Sequence, residues 1–280
     1  MQTDNDIEKR KTDGRNGIIF FLPFAYYFSI RLKTVPKLLS WLLLYLFPTG
    51  WYAYLCAGGF SLHFVLTYLL LLIAVFTLYE TGYIHNDTYA TRRETEPTLR
   101  LDEASQTFFY HHAGQIFGSR ACIALLALTG FFLLNGRSAA SWCTVASVMA
   151  VPVLFYAYNC WRSRYNVLLY PVLVFSRYLP FLLPWQPDLQ YVLLLFLSFP
   201  CCLMLERFSM PRYRFAVMRR LIPDEKSKTR FRPAYYLLAT FVLQFFFSPI
   251  ELVPFFVLGI YRLAIALLVR YYTPRNYLGG

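Results

Sequence analysis

The sequence is poor in charged residues and carries no motif of a soluble enzyme. Only 15% of its 280 residues are charged, whereas 58% are hydrophobic and 20% are aromatic. Soluble domains carry about a quarter charged residues, so this composition excludes an ordinary soluble enzyme and a disordered chain. The six cysteines form no Cys-x-x-Cys pair, which argues against a disulfide framework or a zinc site. A glycine-rich phosphate loop and a nucleophile elbow are also missing.

Long apolar runs dominate the chain instead. A membrane helix needs about 20 mostly apolar residues. Residues 17–30 form a shorter run, for which an interfacial or re-entrant helix is expected. We predict an all-α, polytopic transmembrane bundle of eight to nine helices over residues 37–271, between a polar N-terminal part (1–36) and a C-terminal tail (272–280). The eight strong candidates for spans are 37–56, 62–85, 116–134, 140–160, 167–184, 189–205, 234–247 and 252–269.

The excess of positive charge fits this membrane interpretation. The chain has 27 Lys and Arg against 15 Asp and Glu. Basic residues concentrate in cytoplasmic loops of membrane proteins, and here they cluster in three alternate connections, around 86–115, 161–166 and 206–233. We therefore expect an integral protein of the bacterial inner membrane with both termini and the active site on the cytoplasmic side. The excess is explained by contact with membrane lipids, and no nucleic-acid partner is expected.

One acidic stretch at the predicted inner end of the second span can support chemistry. Glu80, Asp87 and Glu94 are seven residues apart and therefore share a helix face. Carboxylates in a row repel one another unless a cation joins them. Mg²⁺ commonly bridges carboxylates to a substrate's phosphates, and Arg93 and Arg100 add positive charge for phosphate oxygens. The alternative is a solvated helix end whose acids and arginines pair with each other.

The same stretch resembles a known family. Asn86-Asp87, followed by Glu94 and Pro97, is similar to the first aspartate-rich motif of the UbiA superfamily of intramembrane prenyltransferases. Ala90 stands where that motif has a further acid. The resemblance implies a helical bundle around a central cavity, with Asn86, Asp87 and Glu94 as ligands of Mg²⁺.

Three further features carry the resemblance. Tyr158 and Arg162 resemble the family's Tyr-x-x-x-Lys element, with Arg in place of Lys. The helix that follows is similar to that of the phosphoribosyl-transferring branch and includes Arg177. Glu206 lies where the family has its second acidic motif. The resemblance therefore implies catalytic roles for Asp87, Glu94 and Glu206 and substrate binding by Asn86, Arg93, Arg100, Tyr158, Arg162 and Arg177.

The implied function is a Mg²⁺-dependent transferase of the phosphoribosyl branch. It would move phosphoribose from phosphoribosyl diphosphate to a polyprenyl phosphate for cell-envelope polysaccharide synthesis. The arginine-rich loops favour this donor, because a phosphorylated sugar needs more cationic contacts than an isoprenoid does. One alternative is a UbiA-type prenyltransferase with a prenyl diphosphate donor. Another is a transporter or a non-catalytic membrane subunit, although the acids cluster at helix ends and not at mid-membrane.

Overall fold

The structure is a computed structural model that describes residues 17–93, 99–161, 166–213 and 215–272. Within these ranges every regular element is helical. Short 3-10 or π-helical turns flank several of the helices. The ten helices are α1 Val35–Ala57, α2 Leu62–His85, α3 Glu103–Asn135, α4 Ala139–Cys160, α5 Asn166–Ser176, α6 Leu189–Ser198, α7 Pro200–Phe208, α8 Ala216–Leu221, α9 Glu225–Leu243 and α10 Val253–Tyr272.

Five of these helices are long and apolar enough to cross a membrane. They are α1, α2 with its extension to Ala90, α3, α4 and α10; the bent pair α6 and α7 can supply a sixth span. The all-helical membrane architecture is thus confirmed, whereas the predicted eight to nine spans and the central cavity are not. Helix α5 has 11 residues, about 16 Å at 1.5 Å per residue, which is half of the bilayer core. Helix α9 begins with several charged residues.

Local sequence signals set the helix boundaries. Side chains of Ser61, Asp102, Ser138 and Asp224 each accept a hydrogen bond from a backbone N–H three residues later, at the starts of α2, α3, α4 and α9. Such caps satisfy N–H groups that have no partner inside the helix. Helix α1 ends at Gly58, which has a φ of 73°. A residue without a Cβ adopts this left-handed conformation at no steric cost.

Helix α2 lies at the centre of the bundle, where it packs against α3 and α4. Its side chains Phe76 and Tyr79 are buried in an aromatic core. Gly82 allows the close approach of α4, since a Cβ at this position would overlap the ring of Phe155. The hydroxyl of Tyr45 on α1 donates to the backbone carbonyl of Arg177, at 2.9 Å. The core therefore joins helices that are distant in sequence.

The segment 17–31 packs into the bundle ahead of α1. Phe20 and Tyr26 of this segment are fully buried. The segment includes a residue with a φ of 66°, Phe24, and closes with a π-helical turn, Tyr27–Arg31. Glu80 of α2 and Arg120 of α3 form hydrogen bonds with its backbone groups, which gives partners to groups that a continuous helix would pair internally. The sequence predicted an interfacial or re-entrant helix here, and the observed segment is short, broken and partly buried against α2 and α3.

Candidate functional site

Asp87 is the acid of the predicted first motif that the structure describes, and it has several hydrogen-bond partners. It lies in the π-helical turn that follows α2 and is 1% exposed. Nη2 of Arg31 contacts both of its carboxylate oxygens, at 2.7 and 2.8 Å, and Nη1 of Arg100 contacts Oδ1 at 3.1 Å. The Tyr26 hydroxyl donates to Oδ2 at 2.8 Å, and the Asn86 amide donates to Oδ1 at 3.3 Å. Two cations thus share one buried carboxylate.

Glu80 lies on α2, seven residues before Asp87, and is neutralised separately. Its carboxylate is fully buried and accepts a hydrogen bond from Nη1 of Arg120 at 2.8 Å. It also accepts the backbone N–H groups of Phe24 and Tyr27, at 2.9 and 2.8 Å. Glu80 therefore holds the segment 17–31 against α2, and its charge is not available to a ligand.

Glu206, the acid of the predicted second motif, lies in a different cluster. It is 7% exposed and forms a two-pronged ion pair with Arg232, whose Nε and Nη2 lie 2.6 and 2.8 Å from its oxygens. The Cys202 thiol is 3.9 Å from the same carboxylate. Asp87 and Glu206 share no hydrogen-bond partner within the described ranges. The predicted meeting of the two acids across a cavity stays a prediction.

Arg177, which the resemblance singled out, is a buried cation surrounded by tyrosines. Its guanidinium carbon lies 5.3 Å from the ring centre of Tyr45, 4.9 Å from that of Tyr79 and 5.3 Å from that of Tyr178. Its buried Nε has no hydrogen-bond partner. In the part of the chain that the structure describes, no carboxylate pairs with this arginine. Ring faces compensate a cation only partly, by about 0.5–2 kcal/mol each.

Arg207, at the end of α7, repeats this arrangement. Its guanidinium lies 4.4 Å from the ring centre of Tyr170 and donates to the Tyr158 hydroxyl. Its Nε is buried without a hydrogen-bond partner, and no described carboxylate pairs with it. Tyr158 packs on the same hydrophobic cluster as Tyr79, which is a neighbour of Arg177. The two arginines therefore border one common region.

Stacked aromatic rings connect this region to Asp87. Arg31 lies 4.3 Å from the ring centre of Tyr83, and the ring of Tyr83 is 5.0 Å from that of Tyr79. Tyr79 in turn contacts Arg177. These contacts form one continuous network inside an otherwise apolar bundle. We call it the arginine–tyrosine cluster, and its members are Arg31, Tyr79, Tyr83, Tyr158, Tyr170, Arg177 and Arg207.

The predicted site residues are thus brought together in part. Asn86 and Arg100 contact Asp87, and Tyr158 and Arg177 belong to the arginine–tyrosine cluster. Glu94, Arg162 and the side chain of Arg93 lie outside what the structure describes, and their roles stay predictions.

The sequence analysis did not identify several residues that contact the predicted site. Arg31 and Tyr26 lie more than 55 positions before Asp87, in a run that showed only apolar character. Arg207 and Arg232 were assigned to a basic cluster that anchors lipid headgroups, whereas both guanidinium groups point to partners within the protein. The signal in the sequence was that Arg207 directly follows Glu206 at a predicted helix end, where an arginine side chain can turn into the protein.

The hydrogen-bond donors around Asp87 decide whether the first motif can bind Mg²⁺. Both carboxylate oxygens already accept hydrogen bonds from arginine and tyrosine groups. Among the described residues, no group of three or more His, Cys, Asp or Glu side chains could hold a metal ion. These residues do not by themselves fit Mg²⁺, which prefers free carboxylate oxygens and water. The predicted magnesium dependence stays a prediction that involves Glu94.

Comparisons with known proteins bring no relative. No family model, curated protein or solved structure matches the chain. The resemblance to the UbiA superfamily therefore rests on the sequence motifs alone.

Proposed function

We propose that this membrane protein is an intramembrane transferase that binds phosphorylated substrates at the arginine–tyrosine cluster. The favoured reaction is transfer of phosphoribose from phosphoribosyl diphosphate to a polyprenyl phosphate, for cell-envelope polysaccharide synthesis. One observation carries the proposal: the buried guanidinium group of Arg177 and the partly buried one of Arg207 have tyrosine neighbours and no carboxylate partner among the described residues.

The energetics of burial point to an anionic ligand. Burying an ionised side chain costs several kcal/mol even after its surroundings relax. The tyrosine rings around Arg177 offset only part of such a cost. A phosphate would supply the missing negative charge and accept two parallel hydrogen bonds from one guanidinium group. Two such arginines in one cluster suit a diphosphate or two separate phosphates.

The proposed reaction needs positive charge at the leaving group. An oxygen of the acceptor phosphate attacks the anomeric carbon of the sugar donor and forms a new C–O bond. The bond from that carbon to the diphosphate oxygen breaks, and the diphosphate leaves with the electron pair. Arg177 and Arg207 would stabilise the charge that develops on this oxygen. Tyr158 would hold Arg207 in place through its hydroxyl.

Aromatic rings around the arginines favour a second candidate donor. Tyr79, Tyr83 and Phe155 pack against one another with ring centres 4.8–5.3 Å apart. Such a surface accommodates an isoprenoid chain by apolar burial. A prenyl diphosphate would place its diphosphate on the same arginines. The leaving group would be unchanged, and only the carbon that is attacked would differ.

A direct assay tests the proposal. Purified protein is incubated with polyprenyl phosphate and either donor, with Mg²⁺ or with a chelator, and lipid products are identified by mass spectrometry. Lipid-linked phosphoribose is expected from the wild type. Arg177→Gln should lower turnover by at least about 100-fold, or roughly 2.7 kcal/mol, the cost of losing one donor to a developing oxyanion.

The matched control is Arg137→Gln, which removes the same charge at an exposed position and should keep wild-type turnover. Prenylated product without any sugar product would move the protein to the prenyltransferase alternative. Absence of product from both donors, with or without Mg²⁺, would contradict the transferase proposal.

A further inference from the structure

We infer that Arg31 and Arg100 form a phosphate-binding site that works without a divalent cation, with Asp87 as the carboxylate that positions them. The inference rests on the proposed function only for the identity of the ligand as a phosphate. It assigns to two guanidinium groups the role that the motif alone would give to a metal.

The first argument is the occupancy of the Asp87 oxygens. An ionised carboxylate offers about four lone-pair positions. Arg31 takes one at each oxygen, while Arg100 and Tyr26 take a further one each. A metal ion would have to displace one of these donors and then remain beside two guanidinium groups of the same sign. The carboxylate itself is fully buried, so that water cannot complete the coordination of such an ion.

The second argument is the balance of charge. Arg31 and Arg100 contribute two positive charges, and Asp87 contributes one negative charge. Glu80 does not change this balance because Arg120 neutralises it locally. The described site therefore keeps one positive charge in excess, which attracts an anion and repels a dication. Ala90, at the family's acidic position, adds no compensating charge.

The third argument is access. The side chains of Arg31 and Arg100 are 18% and 33% exposed, whereas that of Asp87 is not exposed. A phosphate can thus reach the exposed part of both side chains, while Asp87 holds the nitrogens Nη2 of Arg31 and Nη1 of Arg100. In this arrangement the acid orients the two arginines and does not touch the ligand, which makes it a positioning residue.

The test uses the full-length protein in nanodiscs of phosphatidylcholine, titrated calorimetrically with inorganic diphosphate. One series contains a chelator and the other contains Mg²⁺, with free diphosphate corrected for its magnesium complex. We expect affinities that agree within about threefold in the two series. Arg31→Gln and Arg100→Gln should each weaken binding in chelator by about tenfold or more, or 1.4 kcal/mol. Glu94→Gln should have no such effect.

The matched control is Arg92→Gln, since Arg92 is exposed and lies over Tyr110, away from Asp87. It removes one positive charge from the same connection and should leave the affinity within about threefold. Asp87→Asn distinguishes the roles. If Asp87 only positions the arginines, binding in chelator is retained, because the amide oxygen of Asn still accepts a hydrogen bond from them, whereas a metal ligand predicts the loss of magnesium-dependent binding. If Asp87→Asn does not fold, the wild-type comparison and Arg100→Gln decide.

A metal probe provides a second readout. Mn²⁺ titration followed by electron paramagnetic resonance should detect no tight site that depends on Asp87. Repeating the anion titration with farnesyl phosphate in place of diphosphate distinguishes a lipid phosphate from a free one. Binding of either anion supports the inference if Arg31→Gln and Arg100→Gln weaken it, and contradicts the inference if neither substitution does.

Three results would overturn the inference. They are diphosphate binding that appears only with Mg²⁺, a tight Mn²⁺ site that Asp87→Asn removes, and no binding of either anion in either series. The transferase proposal fails in a different way: the anion binds in the presence of chelator, but the assay yields no transferred product. Magnesium-dependent binding with normal turnover would refute only the arginine site.

Discussion

Removing the charge of Glu80 should release the segment 17–31 from the bundle. In Glu80→Gln, Arg120 keeps its charge in a fully buried position without its carboxylate. Breaking a buried ion pair in this way costs about 3–5 kcal/mol. The new amide group would also face the backbone N–H of Phe24 or Tyr27, so that two donors oppose each other.

For a chain of this size, 3–5 kcal/mol corresponds to a decrease in Tm of roughly 6–20 °C. Thermal unfolding in detergent would measure this decrease, and limited proteolysis would report whether residues 17–31 become accessible. Glu103→Gln neutralises an exposed acid at the start of α3 and should change stability by less than about 0.5 kcal/mol. A Glu80→Gln protein that melts within about 1 °C of the wild type would refute the reasoning.

Two further substitutions test the packing and the capping of the helices. Gly82→Leu should destabilise the α2–α4 contact by at least about 1–3 kcal/mol, because even a Cβ at this position overlaps Phe155; an unchanged Tm in detergent would contradict this packing. Asp102→Ala should cost about 1 kcal/mol at pH 7, because hydrogen bonds from Ser105 cap α3 and lower the pKa of Asp102. The capping contribution is present above the ordinary Asp pKa and is lost as pH falls through the lowered one. The difference in Tm between the two proteins should therefore vanish in acid, and a difference that persists below the lowered pKa would refute the capping role.

Much of the helical layout could be predicted from the sequence, because apolar length is a local property. The predicted run 62–85 coincides with α2, whereas α3 already begins at Glu103, inside the connection predicted around residues 86–115. That some of the predicted spans are not confirmed has a local cause as well. Apolar composition does not distinguish a continuous helix from the proline-interrupted stretch after α5, where 3-10 turns replace a helix.

The site was less predictable, because its partners are distant in sequence. Periodicity predicted that Glu80 and Asp87 share one helix face, and the two acids lie on α2 and on the π-helical turn that follows it. Periodicity could not indicate that each acid forms ion pairs with arginines of other elements. Glu80 pairs with Arg120, and Asp87 pairs with Arg31 and Arg100. Which arginines turn inward is decided by tertiary packing, and composition reports only their number.

A structure of the protein with phosphoribosyl diphosphate bound tests the central claim most directly. The account predicts phosphate oxygens at about 2.7–2.9 Å, the distance of charge-assisted hydrogen bonds, from the guanidinium groups of Arg177 and Arg207. Donor density that lies elsewhere, with Arg177 still enclosed by Tyr45, Tyr79 and Tyr178 as it is now, would contradict the assignment of the arginine–tyrosine cluster as the substrate site.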